Sequence, residues 1–248
     1  MARLYWFVAF SAIWFGLAET GFVSSLLLPH PLDVLRAVGN IGWKLVLHIV
    51  ATTVRASVGF VVGFAAGVAI GFAIQYSLRV QRVFGPMIDA MRPVPALATL
   101  PLFILLFGFS ELGRVCLIAS GTAVFMATST VEAVAKVPEQ WTRFARVSGL
   151  DRRRVFRDVL AQGVVPLLVG PTRLAVALAF TLAIASEFMG AQSGLGYLIN
   201  TARVNLAMPT IWLAVILLGL VSQAIDLLVT RFYGRSTGWY RGTEQLEA

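Results

Sequence analysis

The stretch ASVGFVVGFAAGVAIGFAIQY, residues 56–76, contains no charged side chain. A helix rises about 1.5 Å per residue, so this stretch is long enough to cross a hydrocarbon core about 30 Å thick. Its glycines recur at every fourth position, at Gly59, Gly63, Gly67 and Gly71. That spacing puts the small residues on one helical face. We therefore predict a membrane-spanning helix whose glycine face packs closely against another helix.

The composition extends this interpretation to the whole chain. Apolar residues make up 58% of the 248 positions and charged residues only 13%. In a soluble domain about a quarter of all residues are charged. Six stretches are apolar and long enough to span a membrane, so we predict an all-α membrane protein that forms a single domain over residues 1–248. The predicted spans are Leu4–Phe22, Ala56–Tyr76, Pro95–Leu112, Val115–Val134, Pro166–Ser186 and Pro209–Thr230.

The distribution of basic residues predicts the orientation, because Lys and Arg are enriched in cytoplasmic loops. If both termini are cytoplasmic, 14 of the 20 basic residues lie on the cytoplasmic side, and Arg173 lies within the fifth span. The 14 are Arg3, Arg79, Arg82, Arg92, Lys136, Arg143, Arg146, Arg152, Arg153, Arg154, Arg157, Arg231, Arg235 and Arg241. The outer segments hold Arg36, Lys44, Arg55, Arg114 and Arg203. We therefore predict that both termini are cytoplasmic.

The segment Pro29–Thr53 is apolar but is interrupted by charged and titratable residues. Asp33, Arg36, Lys44 and His48 are spread along it, so it contains no uncharged run of about 20 residues. Apolar residues between these positions can still form one face of a helix. We predict an amphipathic segment that lies at the outer membrane surface.

The longest polar segment reads KVPEQWTRFARVSGLDRRRVFRDVLAQ, residues 136–162. Pro138 can open a helix with Glu139 in its first turn, and Ser148-Gly149 can end it. A second short helix can follow from Asp151, which is a good N-cap. The result is an arginine-lined pair of helices on the cytoplasmic side. Two interpretations stay open: the pair docks into a groove of a soluble partner, or it rests on lipid headgroups.

Motifs for catalysis and for cofactor binding are missing from the sequence. There is no His-Glu-x-x-His pair, no Gly-x-Ser-x-Gly elbow and no Gly-x-x-x-x-Gly-Lys-Ser/Thr phosphate-binding loop. The single Cys116 excludes a disulfide or a cysteine-based metal site within this chain. Its basic residues are dispersed between apolar stretches, which does not favour nucleic-acid binding. We expect a chain without enzymatic activity, metal or cofactor of its own.

Several short motifs occur in an order and spacing that resemble the permease subunits of bacterial ATP-binding-cassette importers with the type I membrane fold. The resemblance is greatest to the branch that imports nitrate, taurine and alkanesulfonates, and it covers nearly the whole chain. The motifs are Leu28-Pro29-His30-Pro31 with Asp33-Val34-Leu35, Arg55 and Ser57 ahead of Gly59, Met91-Arg92-Pro93-Val94-Pro95, Leu100-Pro101-Leu102, Phe107-Gly108, Arg173, Glu187, Gly194–Ile199, Asp226 and Trp239. The resemblance implies six spans and a location in the bacterial inner membrane.

Permeases of this family carry a cytoplasmic signature loop: Glu-Ala-Ala, three residues, Gly, nine residues and Ile-x-Leu-Pro. Aligned on Gly149, the first box falls on Arg143-Phe144-Ala145. Ala145 and Gly149 match the signature, while its leading Glu and closing Pro are replaced. Pro171 stands where the family usually has Gly. The resemblance implies that the segment near 138–149 is the coupling helix of the importer.

The resemblance also implies a set of partners. These are a second copy of the permease, two ATP-binding subunits that hold and hydrolyse ATP with Mg²⁺, and a periplasmic substrate-binding protein. The coupling helix would seat in the ATP-binding subunit, with aromatic anchors and basic residues that orient docking. The candidate residues for this coupling are Pro138, Trp141, Arg143, Phe144, Ala145, Arg146 and Gly149. For the two aromatic residues, packing against the ends of the permease's own spans is the alternative.

The translocation pathway is expected beside the third and fifth spans, because irregular backbone at membrane depth belongs next to a cavity. The candidate pathway or gate residues are Pro95, Pro101, Arg173, Glu187, Gly194 and Gly196. Arg173 can face an anion path or can be a structural partner of Asp226, and the structural role is favoured.

The resemblance favours a small organic or inorganic anion as the solute, such as a sulfonate, taurine or nitrate. An aromatic acid or a vitamin precursor is the alternative, because related permeases move such solutes. An ion-coupled secondary transporter is disfavoured because no inverted hydropathy repeat and no intramembrane ion site are evident. An ion channel is disfavoured because no filter or band of charge lies within a span.

Overall fold

The computed structural model describes residues 2–20, 23–25 and 27–236, and every regular element among them is helical. This confirms the predicted all-α class. The helices are α1 (Ala2–Glu19), α2 (Pro31–Ile41), α3 (Lys44–Tyr76), α4 (Leu78–Met91), α5 (Leu100–Phe107), α6 (Glu111–Ala135), α7 (Glu139–Val147), α8 (Arg152–Arg154), α9 (Ala161–Leu167), α10 (Val169–Phe188), α11 (Leu195–Val204) and α12 (Met208–Ser236). A 3₁₀ turn occupies Ala96–Thr99, and a π-helical turn occupies Val155–Leu160. The predicted positions Phe22, Trp239 and Arg241 lie outside the described residues.

Four helices of the described chain are long and apolar enough to cross a membrane: α3, α6, α10 and the Met208–Gly234 part of α12. The pair formed by α4 and Ala96–Phe107 adds a fifth crossing if it is counted as one bent span. Helix α1 coincides with most of the first predicted span. The count of six spans and the cytoplasmic position of both termini therefore stay predictions.

The third predicted span, Pro95–Leu112, contains the 3₁₀ turn Ala96–Thr99 and the short helix α5, which ends at Phe107. Helix α4 precedes this segment, and the two meet at an angle of 95°. The break contains Pro93 and Pro95, which lack the N–H donors that would continue the helical ladder. Helix α5 then ends at Gly108, which adopts a φ of 61° and donates its N–H to the carbonyl of Ile104 at 2.8 Å.

The outer segment that was predicted over Pro29–Thr53 divides between two helices. Helix α2 is short and amphipathic, and the Nδ1 atom of His30 accepts a hydrogen bond from the Leu32 N–H at 3.2 Å to cap its start. Gly42, with a φ of 62°, ends it. The chain then enters the 33-residue helix α3 at Lys44. The helix therefore begins before Ala56, and the start of the membrane-spanning part within it stays a prediction.

The described residues form two compact units. The first consists of the chain up to Thr53 together with Ile184–Val221. Trp14 stacks on Trp212 with ring centroids 5.1 Å apart and donates its indole N–H to the carbonyl of Pro29 at 3.1 Å. The core of this unit consists of Val34, Ala37, Leu45, Leu195, Leu198, Leu213 and Ala214.

The second unit consists of Val54–Ala183 and the described residues from Ser222 onward. Within it, the glycine face of α3 packs directly on α6. A Cβ atom added at Gly63 would lie 2.4 Å from the carbonyl oxygen of Ala119, and one at Gly67 would lie 2.5 Å from that of Ala123. Only glycine permits backbones to approach this closely. The predicted helix-packing role of the glycine face is confirmed.

Candidate functional site

Helix α7 has a largely polar surface, and its two most exposed apolar side chains are Phe144 and Val147. The residues that face the rest of the unit are Thr142 and Ala145, which are buried. On the opposite face Phe144 is 76% exposed and Val147 is 88% exposed. These two residues are three apart and therefore share one side of the helix. An apolar pair held out from a short polar helix is a surface that a partner can cover.

Gly149 forms the C-terminal cap of α7. This residue adopts a φ of 83°, which favours glycine. Its N–H donates to the carbonyl of Arg146 at 3.0 Å, and the N–H of Leu150 donates to the carbonyl of Ala145 at 3.1 Å. This hydrogen-bond pattern is a Schellman motif. The end of the helix agrees with the one expected from Ser148-Gly149, and Pro138 occupies the N-cap position at its start.

A groove of about 830 Å³ lies beside α7, lined by that helix, the π-helical turn and α9. Trp141 and Phe144 both border it, but their environments differ. Trp141 packs partly against its own chain, because its Cζ3 atom is 3.3 Å from the position that a Cβ at Gly163 would take, but its side chain is still 39% exposed. Both interpretations therefore stay open for Trp141. The ring of Phe144 is more exposed and can be covered by a partner.

The charged residues around α7 are mostly paired within the loop. Arg143 contacts Glu139 with an Nε to Oε1 distance of 3.0 Å, one helical turn apart. Arg157 contacts Asp158 at 2.6 Å, and this hydrogen bond holds the pKa of Asp158 below its usual value. Arg146 is exposed in the last turn of α7, where a cation complements the helix dipole.

A set of contacts connects this loop to the end of α3. Arg152 donates to the carbonyl of Tyr76 at 2.5 Å, and its guanidinium carbon lies 5.2 Å from the centroid of the Tyr76 ring. Phe156 packs edge-on against both Tyr76 and Phe72, at 4.9 and 5.6 Å between centroids. A movement of the loop would therefore act directly on α3. No sequence signal indicated this connection, since the residues are about 76 positions apart.

A cavity of about 600 Å³ lies beside the bend between α4 and α5. It is lined by the break after α4, the 3₁₀ turn, α5, α6 and Leu178 of α10. Pro95 and Pro101 do not line it, but their neighbours Val94, Ala96 and Leu102 do. The two prolines therefore shape the backbone from which the lining projects.

One ion pair stands at the edge of this cavity. A guanidinium nitrogen of Arg92 contacts a carboxylate oxygen of Glu132. The same two residues, with Thr128, also line a second cavity of about 250 Å³ that includes Gln81 and Asp89. Sequence reasoning placed Arg92 in a motif but gave no partner for it, because nothing in the sequence pairs residues 40 positions apart.

Arg173 forms a bidentate contact with Asp226. Its Nε and Nη2 atoms donate to the two carboxylate oxygens, each at 2.8 Å. A planar guanidinium matches a carboxylate in this geometry, which fixes both side chains. Arg173 does not line the cavity beside the bend. The contact corresponds to the structural alternative given for this residue.

The structure brings Glu187, Gly194 and Gly196 together in the first unit. Glu187 is 1% exposed and accepts hydrogen bonds from the Thr52 hydroxyl at 2.9 Å and the Gly196 N–H at 2.8 Å. The N–H of Leu195 donates to the Thr52 oxygen at 2.7 Å. A Cβ at Gly194 would lie 2.3 Å from the Glu187 carboxyl carbon. The loop before α11 is thus held by a buried carboxyl group.

The Glu187 network also includes His48. Its Nδ1 atom accepts a hydrogen bond from the Gly194 N–H at 3.1 Å, and its ring stacks on Tyr197. Sequence reasoning found the carboxyl group and both glycines but not Thr52 or His48. Within the described part of the chain, no group of three or more His, Cys, Asp or Glu residues could hold a metal ion.

Comparison with known proteins places these features in a family context. The family model described as "Binding-protein-dependent transport system inner membrane component" matches residues 40–239. The chain is 34% identical over 226 residues to the Escherichia coli aliphatic sulfonates transport permease protein SsuC, covering 90% of this chain and 86% of that protein. It is 38% identical over 181 residues to the riboflavin transport system permease protein RibX of Chloroflexus aurantiacus, covering 73% and 68%.

A solved structure has a similar fold. A chain of the MetNI methionine ABC transporter in inward-facing conformations superimposes with a TM-score of 0.64 at 20% sequence identity. The match covers 78% of this chain and 98% of that chain. It supports the type I membrane fold that the sequence motifs implied.

Proposed function

Because the chain belongs to the family of binding-protein-dependent transport system inner membrane components, we propose that it forms one half of a homodimeric solute pathway in an ATP-driven importer. It is a multi-pass inner-membrane permease. In the proposed assembly two ATP-binding subunits bind ATP and Mg²⁺ and perform the hydrolysis. A periplasmic binding protein delivers the solute. The chain itself supplies the solute pathway and the surface that contacts the ATP-binding subunit, and it catalyses no reaction.

The observation that carries the proposal is the exposed apolar pair on α7. Phe144 and Val147 project from a helix whose ends are fixed by Pro138 and Gly149. Burying two such side chains against a partner stabilises a complex, because aromatic and apolar anchors dominate interface energies. The exposed Arg146 adds charge at the rim, where it affects the rate and orientation of association. The alternative is that this exposed face rests on lipid headgroups.

The connection from this loop to α3 supports a coupling role. When a partner displaces α7, the Arg152 contact with Tyr76 and the ring contacts of Phe156 would carry the displacement to the end of α3. The glycine-packed interface with α6 makes these two helices move together, because closely packed backbones cannot slide independently. Alternating access by rigid-body movement of helices needs such a connection.

The test is reconstitution with the cognate ATP-binding subunit. We expect the two proteins to co-purify in mild detergent and to hydrolyse ATP, and Phe144→Asp to release the ATP-binding subunit. Phe144→Leu is the matched control, because it keeps an apolar side chain at the same position. Both variants should elute as monodisperse permease, since this side chain is 76% exposed.

A permease that purifies without an ATP-binding subunit would contradict the proposed function. Retention of the subunit by Phe144→Asp would instead contradict the placement of the docking surface. Uptake into proteoliposomes that proceeds without ATP but follows an ion gradient would support a secondary transporter in place of the importer.

The solute class divides into two candidates. The sequence resemblance favours a small anion such as a sulfonate, taurine or nitrate, and SsuC is named for sulfonates. The alternative is a larger aromatic solute or vitamin precursor, and RibX is named for riboflavin. The binding protein is expected to set most of the specificity. The chemistry of the permease cavity separates the two candidates further.

A further inference from the structure

We propose that the cavity beside the α4–α5 bend is a solute-binding site for an uncharged, planar heteroaromatic molecule that carries hydrogen-bond donors. The inference rests on the proposed function, because it assigns a substrate class to the permease. It favours the vitamin-precursor type of solute over the small anion. Three properties of the cavity carry it: its charge balance, the direction of its hydroxyl groups, and its apolar walls.

The cavity offers an anion no uncompensated positive charge. Arg92 and Glu132 are the two charged residues of its lining within the described part of the chain, and they contact each other. An anion that enters would lose its hydration, and the positive charge of Arg92 is already balanced by the Glu132 carboxylate. A neutral solute meets no such penalty. A second copy of the chain would bring the same balanced ion pair, so dimerisation would not change the net charge of the site.

Two hydroxyl groups of the lining are oriented as acceptors. Thr99 donates its hydroxyl hydrogen to the carbonyl of Ala96 at 2.7 Å, and Ser120 donates to that of Leu117 at 3.0 Å. A hydroxyl has one hydrogen and two lone pairs, so both oxygens keep acceptor capacity. Thr128 and Ser129 also line the cavity, and their hydroxyl groups can donate as well as accept. The two oriented hydroxyl groups match N–H and O–H groups of a solute.

The walls are apolar and include two aromatic rings. Phe103 and Phe125 line the cavity together with Leu102 and Val124. A volume of about 600 Å³ lies within the range of roughly 300–1,000 Å³ that holds molecules of several rings. A solute the size of nitrate would leave most of this space to water against apolar walls. A flat ring system would fill it and could stack on the phenylalanines.

The backbone positions these walls through one glycine. A Cβ at Gly121 would lie 2.7 Å from the Cδ1 atom of Leu182 and 3.0 Å from the Cβ of Ala96. The glycine therefore permits the 3₁₀ turn to approach α6 closely enough to form the cavity edge. Thr99, which belongs to the same turn, and Ser120 on α6 both line the cavity.

The experiment measures binding to the detergent-purified complex of permease and ATP-binding subunits, without the binding protein. The probes are riboflavin, which is neutral and planar, naphthalene-2-sulfonate, which is planar and anionic, and ethanesulfonate, a small anion. The first two are followed by their own fluorescence and the third by calorimetry. We expect riboflavin to bind at least about tenfold more tightly than either sulfonate.

Variants assign the preference to the cavity. Phe103→Ala should weaken riboflavin binding by about tenfold, in the range of stacking on an aromatic ring. Leu105→Ala is the matched control, because Leu105 is on the same helix but is 81% exposed and does not line the cavity. Glu132→Gln leaves Arg92 unbalanced and should increase the affinity for naphthalene-2-sulfonate by about tenfold. Thr99→Val, which is close in shape, should weaken riboflavin binding only.

A wild-type complex that binds either sulfonate at least as tightly as riboflavin would overturn the inference and leave the proposed function standing. Riboflavin binding that is unchanged in both Phe103→Ala and Thr99→Val would overturn it as well. A permease that assembles with no ATP-binding subunit would overturn the proposed function, whatever the ligand preference of the isolated chain.

Discussion

Replacing Thr52 by Val should destabilise the loop that precedes α11. The Thr52 side chain is fully buried, and its hydroxyl serves two groups at once. It donates to the Glu187 carboxyl group at 2.9 Å and accepts from the N–H of Leu195 at 2.7 Å. Valine has nearly the same shape, so the substitution removes the hydroxyl without opening a cavity.

The magnitude follows from the two lost hydrogen bonds. A hydrogen bond contributes about 0.5–1.5 kcal/mol with a neutral acceptor and about 1.5–3 kcal/mol with a charged one, and an orphaned buried N–H costs about 1–3 kcal/mol. Together they give a destabilisation of about 4 kcal/mol. For a chain of this size each kcal/mol lowers the melting temperature by about 2–4 °C. We therefore expect Thr52→Val to melt about 8–16 °C below the wild type.

The assay is thermal unfolding of the purified permease in detergent, followed by the loss of the monodisperse peak in fluorescence-detected size exclusion. Thr52→Ser is the control, because it keeps the hydroxyl and loses one methyl group, a change of about 1 kcal/mol. A Thr52→Val protein that melts within about 4 °C of Thr52→Ser would refute the reasoning. It would show that the Glu187 network contributes little to the stability of the fold.

Two further predictions concern helix contacts. Gly67→Ala should lower the melting temperature by several degrees, because the new Cβ would lie 2.5 Å from the Ala123 carbonyl oxygen and overpacking costs about 1–3 kcal/mol. Gly219→Ala is the control and should be neutral, because there is open space around Gly219. Equal melting temperatures of the two variants would contradict the packing argument. Asp226→Asn should reduce the yield of folded permease, and the exchange Arg173→Asp with Asp226→Arg should recover part of it, as measured by size exclusion; no recovery would argue that the pair has a role beyond structure.

Helix α3 is longer at its N-terminal end than the span that was predicted from the sequence. The titratable residues at 44, 48 and 55 suggested that the membrane-spanning stretch begins at Ala56. In the structure His48 accepts a hydrogen bond from Gly194, and Arg55 contacts Glu111 at 2.6 Å. Polar groups that are satisfied by tertiary partners no longer limit a helix. The interruption visible in the sequence was therefore not an interruption of the helix.

Helix α7 illustrates the opposite case. Its start at Pro138 and its end at Ser148-Gly149 follow from fixed φ at proline and from the left-handed φ that glycine permits. These are local properties, so they could be read from neighbouring residues. The difference in exposure between Trp141 and Phe144, 39% against 76%, could not be read in this way, because both are aromatic residues on the same short helix. It depends on tertiary packing, since the ring of Trp141 lies beside Gly163 of α9.

The sequence by itself determined the all-α class, the glycine packing face and the boundaries of α7, and its motifs carried the resemblance to the family. Hydrophobicity, helical period and capping residues act along the chain, so composition and spacing are enough to predict the first three. The tertiary structure alone decided the bend after α4, the cavity, and the pairings Arg92–Glu132 and Thr52–Glu187, and it joined Arg173 to Asp226, one of the alternatives that the sequence left open. Each pairing joins residues far apart in the chain, so its energy exists only once packing has brought the two side chains together.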